Sequence, residues 1–145
     1  MTTKKKVLTG IAGVLLVATA GYGAAAYYYS SHFYSHTEIN GTDYGEMTVA
    51  QVKKKIADQI PSYQITIEER NGQEETLTGE QLKLTYQDGG EIDKLMEDQR
   101  PWAWVIHAFT GVHVQLENMV AVNEEALKQA VEGLTCMQPG NMQAP

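Results

Sequence analysis

Residues 38–60 read EINGTDYGEMTVAQVKKKIADQI, and this stretch decides the fold of the chain. Thr48 is a good helix N-cap, because its hydroxyl can accept a hydrogen bond from a backbone N–H of the first turn. Gln51 follows three residues later and completes a capping box, and Pro61 ends the helix. The apolar residues of the helix recur on a single face: Val49, Val52, Ile56 and Ile60. The stretch therefore predicts a short strand, a glycine turn and one amphipathic helix that together open a folded domain.

The next stretch predicts a β-hairpin. Residues 63–68 alternate apolar and polar side chains, which is typical of a half-buried strand. Asn71 and Gly72 follow, and this pair favours a type I′ turn because both residues tolerate a positive φ. Residues 74–78 are the predicted returning strand.

The remainder of the chain mixes short strands and helices. Further elements are predicted as strands at residues 82–86, 112–116 and 120–122, as a helix through Ile92, Leu95 and Met96, and as a helix capped by Asn123. Because both element types are interspersed, we expect one small α+β domain over residues 38–137, with a β-hairpin, short strands and about three helices. Residues 138–145 are rich in Pro, Gly and Asn and predict a tail or linker.

The N-terminus predicts a membrane anchor. Residues 7–26, VLTGIAGVLLVATAGYGAAA, carry no charge, and as a helix they would span about 30 Å, the thickness of a bilayer's hydrocarbon core. Lysines precede this run, and no basic residue follows it before Lys53, so the N-terminus is expected in the cytoplasm. We expect a cytoplasmic tail at residues 1–6, a transmembrane anchor at 7–29, with tyrosines at its outer end, and a solvated linker at 30–37. A cleaved signal peptide is the alternative, because three alanines at 24–26 resemble a cleavage site.

The charge of the chain limits its partners. The formal net charge is −7, and three of the eleven basic residues lie at positions 4–6, so the rest of the chain holds eight basic and eighteen acidic residues. Such an acidic domain is poorly suited to bind nucleic acid or to be attracted to anionic lipid. The single cysteine, Cys136, cannot form an internal disulfide.

Several of these segments together resemble a known family. They are INGTD (residues 39–43), MTV (47–49), YQITIEER (63–70), LTGEQL (77–82), QRPW (99–102) and VNEEAL (122–127). In this order, and downstream of an anchor, they resemble the peptidoglycan-binding domain that lies between the membrane anchor and the catalytic domain of bacterial L,D-transpeptidases. It also occurs in W-type proteins associated with vancomycin resistance.

The resemblance implies a non-catalytic, extracytoplasmic cell-wall module that positions a partner, or a catalytic domain absent from this sequence, near peptidoglycan. The transpeptidase nucleophile lies in a Ser-x-Gly-Cys setting, whereas Cys136 lies in Leu-Thr-Cys-Met, so no catalytic residue is assigned. The expected partners are peptidoglycan, the membrane and cell-wall enzymes, with no cofactor. The alternatives are a spacer or protein-interaction domain without affinity for glycan, and a fragment of an L,D-transpeptidase.

Trp102 and Trp104 are the candidate ligand-binding residues. Two indole rings on an exposed groove would stack on sugar faces, although aromatic rings also fill cores. The other candidate residues are expected to have structural or solvent-exposed roles. Cys136 without an adjacent base is expected to be structural. The histidine pairs (His32 with His36, His107 with His113) lack ligand partners at ordered spacing, and so no metal site is predicted. The paired glutamates at 68–69, 74–75 and 124–125 are expected to be solvated rather than opposed across a cleft.

Overall fold

The computed structural model describes residues 2–141. The α-helices of this part of the chain are α1 (Thr3–Tyr28), α2 (Val49–Gln59), α3 (Glu91–Asp98), α4 (Trp104–Thr110) and α5 (Glu124–Glu132). Its strands are β1 (Thr37–Ile39), β2 (Thr42–Asp43), β3 (Gln64–Glu68), β4 (Glu74–Thr78), β5 (Thr85–Tyr86), β6 (Val112–Val114) and β7 (Val120–Ala121). The α+β class is confirmed. The prediction of about three helices after the anchor is wrong, because α4 forms where the sequence suggested only an aromatic and aliphatic cluster.

The chain forms two compact units, and each unit combines two separate stretches. The first unit holds the chain as far as Val49 together with Glu91–Leu116, and the second holds Ala50–Gly90 together with the chain from Glu117 onward. The sequence had suggested a single domain over residues 38–137. The tail expected at residues 138–145 lies partly outside the described residues.

The first unit contains a three-stranded sheet in the order β2-β1-β6. Strand β1 pairs antiparallel with β2 and parallel with β6. Asn40 and Gly41, which join β1 to β2, have positive φ angles of 51° and 80°, as a tight hairpin turn requires. The Asn40 side chain also extends the pairing with β6, because it accepts from the Leu116 N–H at 2.8 Å and donates to the Leu116 carbonyl at 3.0 Å.

Residues 30–37 belong to the first unit and are not the solvated linker that we expected. Phe33, Tyr34 and Thr37 are all buried. The Phe33 N–H donates to the Met47 carbonyl at 2.9 Å, and the Thr37 hydroxyl donates to the Tyr34 carbonyl at 2.7 Å. The polar composition of this segment hid its buried residues. The polypeptide therefore passes from α1 into β1 through packed structure.

The second unit contains the β3-β4 hairpin, which runs in register from Gln64 opposite Thr78 to Glu68 opposite Glu74. The predicted type I′ turn requires a positive φ at both Asn71 and Gly72. Only Gly72 has one (79°), so this turn does not form. Residues 69–73 form a longer loop instead, which the Glu69 N–H closes by donating to the Gln73 carbonyl at 2.7 Å. The hairpin was predicted correctly and its loop was not.

Apolar side chains from helix and hairpin form the core of the second unit. Of the predicted apolar stripe, Val52 and Ile56 of α2 are buried, as is Ile60 in the turn that follows the helix, whereas Val49 is only half-buried. Leu77, Leu82 and Leu134 form a buried cluster. Asn123 caps α5 as predicted, and its side-chain oxygen accepts from the Ala126 N–H at 2.8 Å.

Candidate functional site

Helix α1 is long and apolar enough to span a membrane. Its 26 residues correspond to about 39 Å of helix, and the mean hydropathy of its most apolar window is 1.7. Apolar side chains along it, such as Leu16 and Val17, are largely exposed, and none of that window is buried. A core helix of a soluble protein would be mostly covered by protein, so this alternative does not fit α1.

An aromatic cluster joins the C-terminal end of α1 to the segment before α4. We use this name for Tyr22, Tyr29, Tyr34, Trp102, Trp104 and His107. Tyr22 stacks on Trp102 with ring centroids 6.1 Å apart and contacts Trp104 at 5.3 Å. Tyr29 contacts Trp104 at 6.1 Å, and the Tyr22 hydroxyl donates to the Trp102 carbonyl. These contacts attach the end of α1, which belongs to the first unit, to the rest of that unit over a distance of eighty residues in sequence.

A single amide side chain reinforces this attachment. The Nε2 group of Gln99 donates to the Tyr29 carbonyl at 2.7 Å and to the His32 carbonyl at 2.8 Å. Its Oε1 atom accepts from the Tyr34 N–H at 3.3 Å. Gln99 therefore bonds to the backbone at three points of the segment that leaves α1.

Glu46 forms a second polar attachment. Its carboxylate accepts hydrogen bonds from the Tyr29 hydroxyl, at 2.8 Å, and from the Ser35 hydroxyl. Partial burial of the carboxyl raises its pKa, but the hydrogen bonds from Ser35 and Tyr29 outweigh this effect and hold the pKa of Glu46 below the ordinary value of 4.5. Glu46 is thus charged at neutral pH.

A mainly apolar cavity of about 260 Å³ lies in the first unit beside the aromatic cluster. Apolar side chains such as Phe33 and Leu95 line it, together with the polar side chains of Gln99, Arg100 and His107. The His107 ring stacks on Tyr34 at 4.6 Å, and its buried Nδ1 atom has no hydrogen-bond partner within residues 2–141. The cavity has the size and the mainly apolar lining to receive a small apolar group.

The two predicted ligand-binding tryptophans occupy different environments. Trp102 is 66% exposed, and one side of its ring lies against Tyr22. Trp104 is half-buried between Tyr22 and Tyr29, and its Nε1 atom is buried without a partner in the described part of the chain. Trp104 thus packs against the two tyrosines and leaves little of its ring free. Glycan binding by this pair stays a prediction, and of the two only Trp102 offers substantial free surface.

The remaining candidates are placed separately. Cys136 packs against the Leu77, Leu82 and Leu134 cluster of the second unit. His113 bonds to Glu38 at 2.9 Å, and His32 stacks on Tyr28 at 4.0 Å. Within residues 2–141 no group of three or more His, Cys, Asp or Glu side chains could hold a metal ion.

The paired glutamates belong to the second unit, whereas the aromatic cluster belongs to the first. Glu68 and Glu74 face each other across the hairpin, and Glu75 accepts from the Thr135 N–H at 2.7 Å. Glu124 lies in the first turn of α5 with its neighbour Glu125. These positions are those of strand and helix-start residues rather than of two acids opposed across a cleft.

Sequence reasoning missed Gln99 and Glu46 as structural residues of this site. Gln99 was noted only as part of the QRPW segment, and no local pattern shows that an amide will bond to a backbone more than sixty residues away. Glu46 adopts a positive φ of 66°, which is uncommon for a residue with a side chain.

No family model, curated protein or solved structure matches this chain.

Proposed function

We propose that this chain is a single-pass membrane protein with a cytoplasmic N-terminus, whose extracytoplasmic part is a non-catalytic cell-envelope module that positions a partner near peptidoglycan. Sidedness rests on the lysines at positions 4–6 and on the absence of basic residues between α1 and Lys53. The connection with the cell wall rests on the resemblance described above.

One observation carries the positioning role, namely the packed junction between α1 and the first unit. A module that only tethers a partner needs a flexible linker, whereas here Gln99, Glu46 and the aromatic cluster bond to the segment directly after the helix. Such a junction fixes the height and orientation of the first unit at the end of the helix. This arrangement suits a device that holds a binding surface or a partner at a set distance from the bilayer.

A protein-interaction module without glycan affinity is the second candidate, and the tryptophans favour it. Both indole rings contact Tyr22 of α1, so a glycan would meet only the outer surface of Trp102. Two tryptophan rings that both pack against Tyr22 expose less surface to a sugar than two rings on an open groove would. In this case the first unit would position a membrane-bound wall enzyme by protein contact.

Sacculus binding distinguishes the two candidates. The full chain, purified in mild detergent, is mixed with purified peptidoglycan sacculi and centrifuged. For a wall-binding module we expect the chain to pellet, Trp102→Ala to reduce pelleting, and Tyr63→Ala, which removes an exposed aromatic ring of the second unit, to leave it unchanged. Pelleting no greater than that of an unrelated membrane protein would reject glycan binding and leave co-purification with a wall enzyme as the decisive assay.

Sidedness and catalysis are tested separately. Alkaline phosphatase fused after Pro145 should be active, because this reporter folds only outside the cytoplasm, while a fluorescent protein that requires the cytoplasm should stay dark. The reverse pattern would end the proposal. Turnover of muropeptides that Cys136→Ala abolishes would instead identify an enzyme.

A further inference from the structure

Helix α4 presents an exposed apolar surface. We define the α4 patch as Trp102, Val105, Ile106 and Phe109, which follow the spacing of one helical face. Phe109 is 88% exposed, Trp102 66% and Ile106 60%. Single exposed apolar residues are common, but three large ones on two helical turns form a contiguous surface that needs a partner.

The stretch of chain around this surface is uncharged. Residues 101–116 contain no Asp, Glu, Lys or Arg, although the chain as a whole holds 29 such residues. The preceding helix, α3, reads EIDKLMED and contrasts sharply with it. A protein surface usually offers charges at the rim of an interface, whereas the stretch that carries the α4 patch contains none between Arg100 and Glu117. Hydrocarbon and the uncharged part of a lipid headgroup region match this composition.

The α4 patch is continuous with the apolar surface of α1. A Cβ atom built on Gly23 would lie 3.9 Å from the Trp102 ring, and Tyr22 stacks on the same ring at 6.1 Å. Both residues lie within the apolar run, and Tyr22 is four residues before its end at Ala26. At a rise of ~1.5 Å per residue, the Trp102 ring lies about 6 Å along the helix axis inside the apolar run.

We propose that the α4 patch inserts into the lipid leaflet next to the C-terminal end of α1, as a second membrane contact of the first unit. Amphipathic helices lie in the interface with their apolar face about 5–10 Å deep, which is the depth that the contact with Tyr22 and Gly23 gives to Trp102. His107 lies on the same helix and stacks on Tyr34, so α4 is held to the first unit while its patch faces lipid. Apolar contact drives this insertion, so an acidic chain needs no anionic lipid for it. The proposal requires α1 to cross the membrane, and it competes with glycan binding by Trp102, because a ring that lies in lipid cannot also stack on a sugar; reduced sacculus pelleting in Trp102→Ala would therefore count against it.

The depth of single nitroxide labels tests the proposal. The full chain, in a Cys136→Ser background, is labelled at one introduced cysteine and reconstituted into phosphatidylcholine nanodiscs. Labels replace Ile106 or Phe109 in the patch, Val14 in α1, and Gln115, an exposed residue of the same unit that serves as the matched control. Collisions with oxygen, which concentrates in lipid, are compared with collisions with a water-soluble nickel chelate.

The labels at 106 and 109 should favour oxygen and report a depth of about 5–10 Å, the label at 14 should be deeper, and the label at 115 should favour nickel. A deep label at 14 with aqueous labels at 106 and 109 would overturn the α4 proposal alone. An aqueous label at 14 would overturn the membrane-spanning role of α1, and the α4 proposal with it. Labels at 106 and 109 protected from both reagents would show that protein covers the patch, and would also overturn the proposal.

A charge in the patch gives an independent test. Phe109→Asp should move the label at 106 out of lipid and raise its collisions with nickel to the level seen at 115, because a carboxylate resists entry into the interface. Phe109 is almost fully exposed, so its replacement leaves the core intact. Gln115→Asp adds the same charge outside the patch and should leave the label at 106 in lipid. An unchanged depth at 106 in Phe109→Asp would contradict the insertion.

Discussion

Replacement of Gln99 by leucine should loosen the junction between α1 and the first unit. The side chain keeps about the same size, but its hydrogen bonds to the Tyr29 carbonyl, the His32 carbonyl and the Tyr34 N–H are lost. The first two are short, at 2.7 and 2.8 Å, and the third, at 3.3 Å, contributes less. A net loss of ~0.5–1.5 kcal/mol for each bond, with an added cost for backbone groups left unpaired, predicts that unfolding of the first unit becomes easier by about 2–4 kcal/mol.

Urea unfolding of the full chain in detergent measures this change, with Gln115→Leu as the control. Gln115 is an exposed glutamine of the same unit, so its replacement should change the free energy of unfolding by less than about 0.5 kcal/mol. Hydrogen exchange locates the effect, since amides of residues 30–36 should lose protection in Gln99→Leu and keep it in Gln115→Leu. Equal stability of the two variants, with equal protection of this segment, would refute the role assigned to Gln99.

Three further substitutions test local parts of the structure. Gly79→Ala should destabilise the second unit by more than about 2 kcal/mol in thermal unfolding, because the added Cβ would lie 2.1 Å from the Ile60 carbonyl oxygen. Asn123→Ala should cost about 1 kcal/mol in the same assay, because it removes the N-cap of α5. Glu46→Gln should make the free energy of unfolding depend less steeply on pH in the acid range. The folded-state pKa of Glu46 is below 4.5, so its stabilising contribution is complete above that pH and is lost as the pH falls through the lower value.

Each of these expectations has a matched control. Gly133→Ala places a Cβ at 3.3 Å from the Gln129 carbonyl oxygen with an ordinary helical backbone, so it should be much milder than Gly79→Ala. Asn123→Asp keeps a capping oxygen and should retain most of the stability. The hydrogen bond from Lys53 also lowers the pKa of Asp88, so the parent protein loses stability in acid for a second reason. The control for Glu46→Gln is therefore the difference in free energy of unfolding between variant and parent at each pH. If the free energy of unfolding falls equally with decreasing pH in both proteins, Glu46 does not contribute to acid sensitivity.

Locally encoded elements could be predicted, and those that depend on distant contacts could not. Helix α2 begins at Val49, directly after the predicted cap, and α5 begins after Asn123, because capping side chains and apolar spacing are both written in adjacent residues. Helix α4 has apolar spacing but no cap of this kind: its N-cap is Ala103, which provides no side-chain hydrogen bond. The aromatic contacts of Trp104 and His107 with Tyr29 and Tyr34 accompany the helix in place of a cap, and sequence spacing does not reveal them.

The same contrast between local signals and distant contacts explains which residues of the candidate site could be predicted. Trp102 and Trp104 stood out from the sequence because indole rings are rare, but whether they meet sugar or tyrosine depends on where α1 ends in space. The residues that hold the junction, Gln99 and Glu46, are chemically ordinary, and their partners include backbone carbonyl groups, which carry no sequence signal. A polar segment such as residues 30–37 then reads as a linker, although backbone hydrogen bonds and three buried side chains make it part of a folded unit.

The junction determines how the first unit can work at a membrane. If a free linker joined α1 to this unit, the exposed surface of α4 would sample all orientations and meet lipid only by chance. Because Tyr22 stacks on Trp102 and Gly23 leaves room for the Trp102 ring beside the helix, the α4 patch is instead held at one height on the helix, about 6 Å inside the apolar run. Anchoring at two places, by α1 and by α4, would give any partner of the unit a fixed direction as well as a fixed distance from the bilayer.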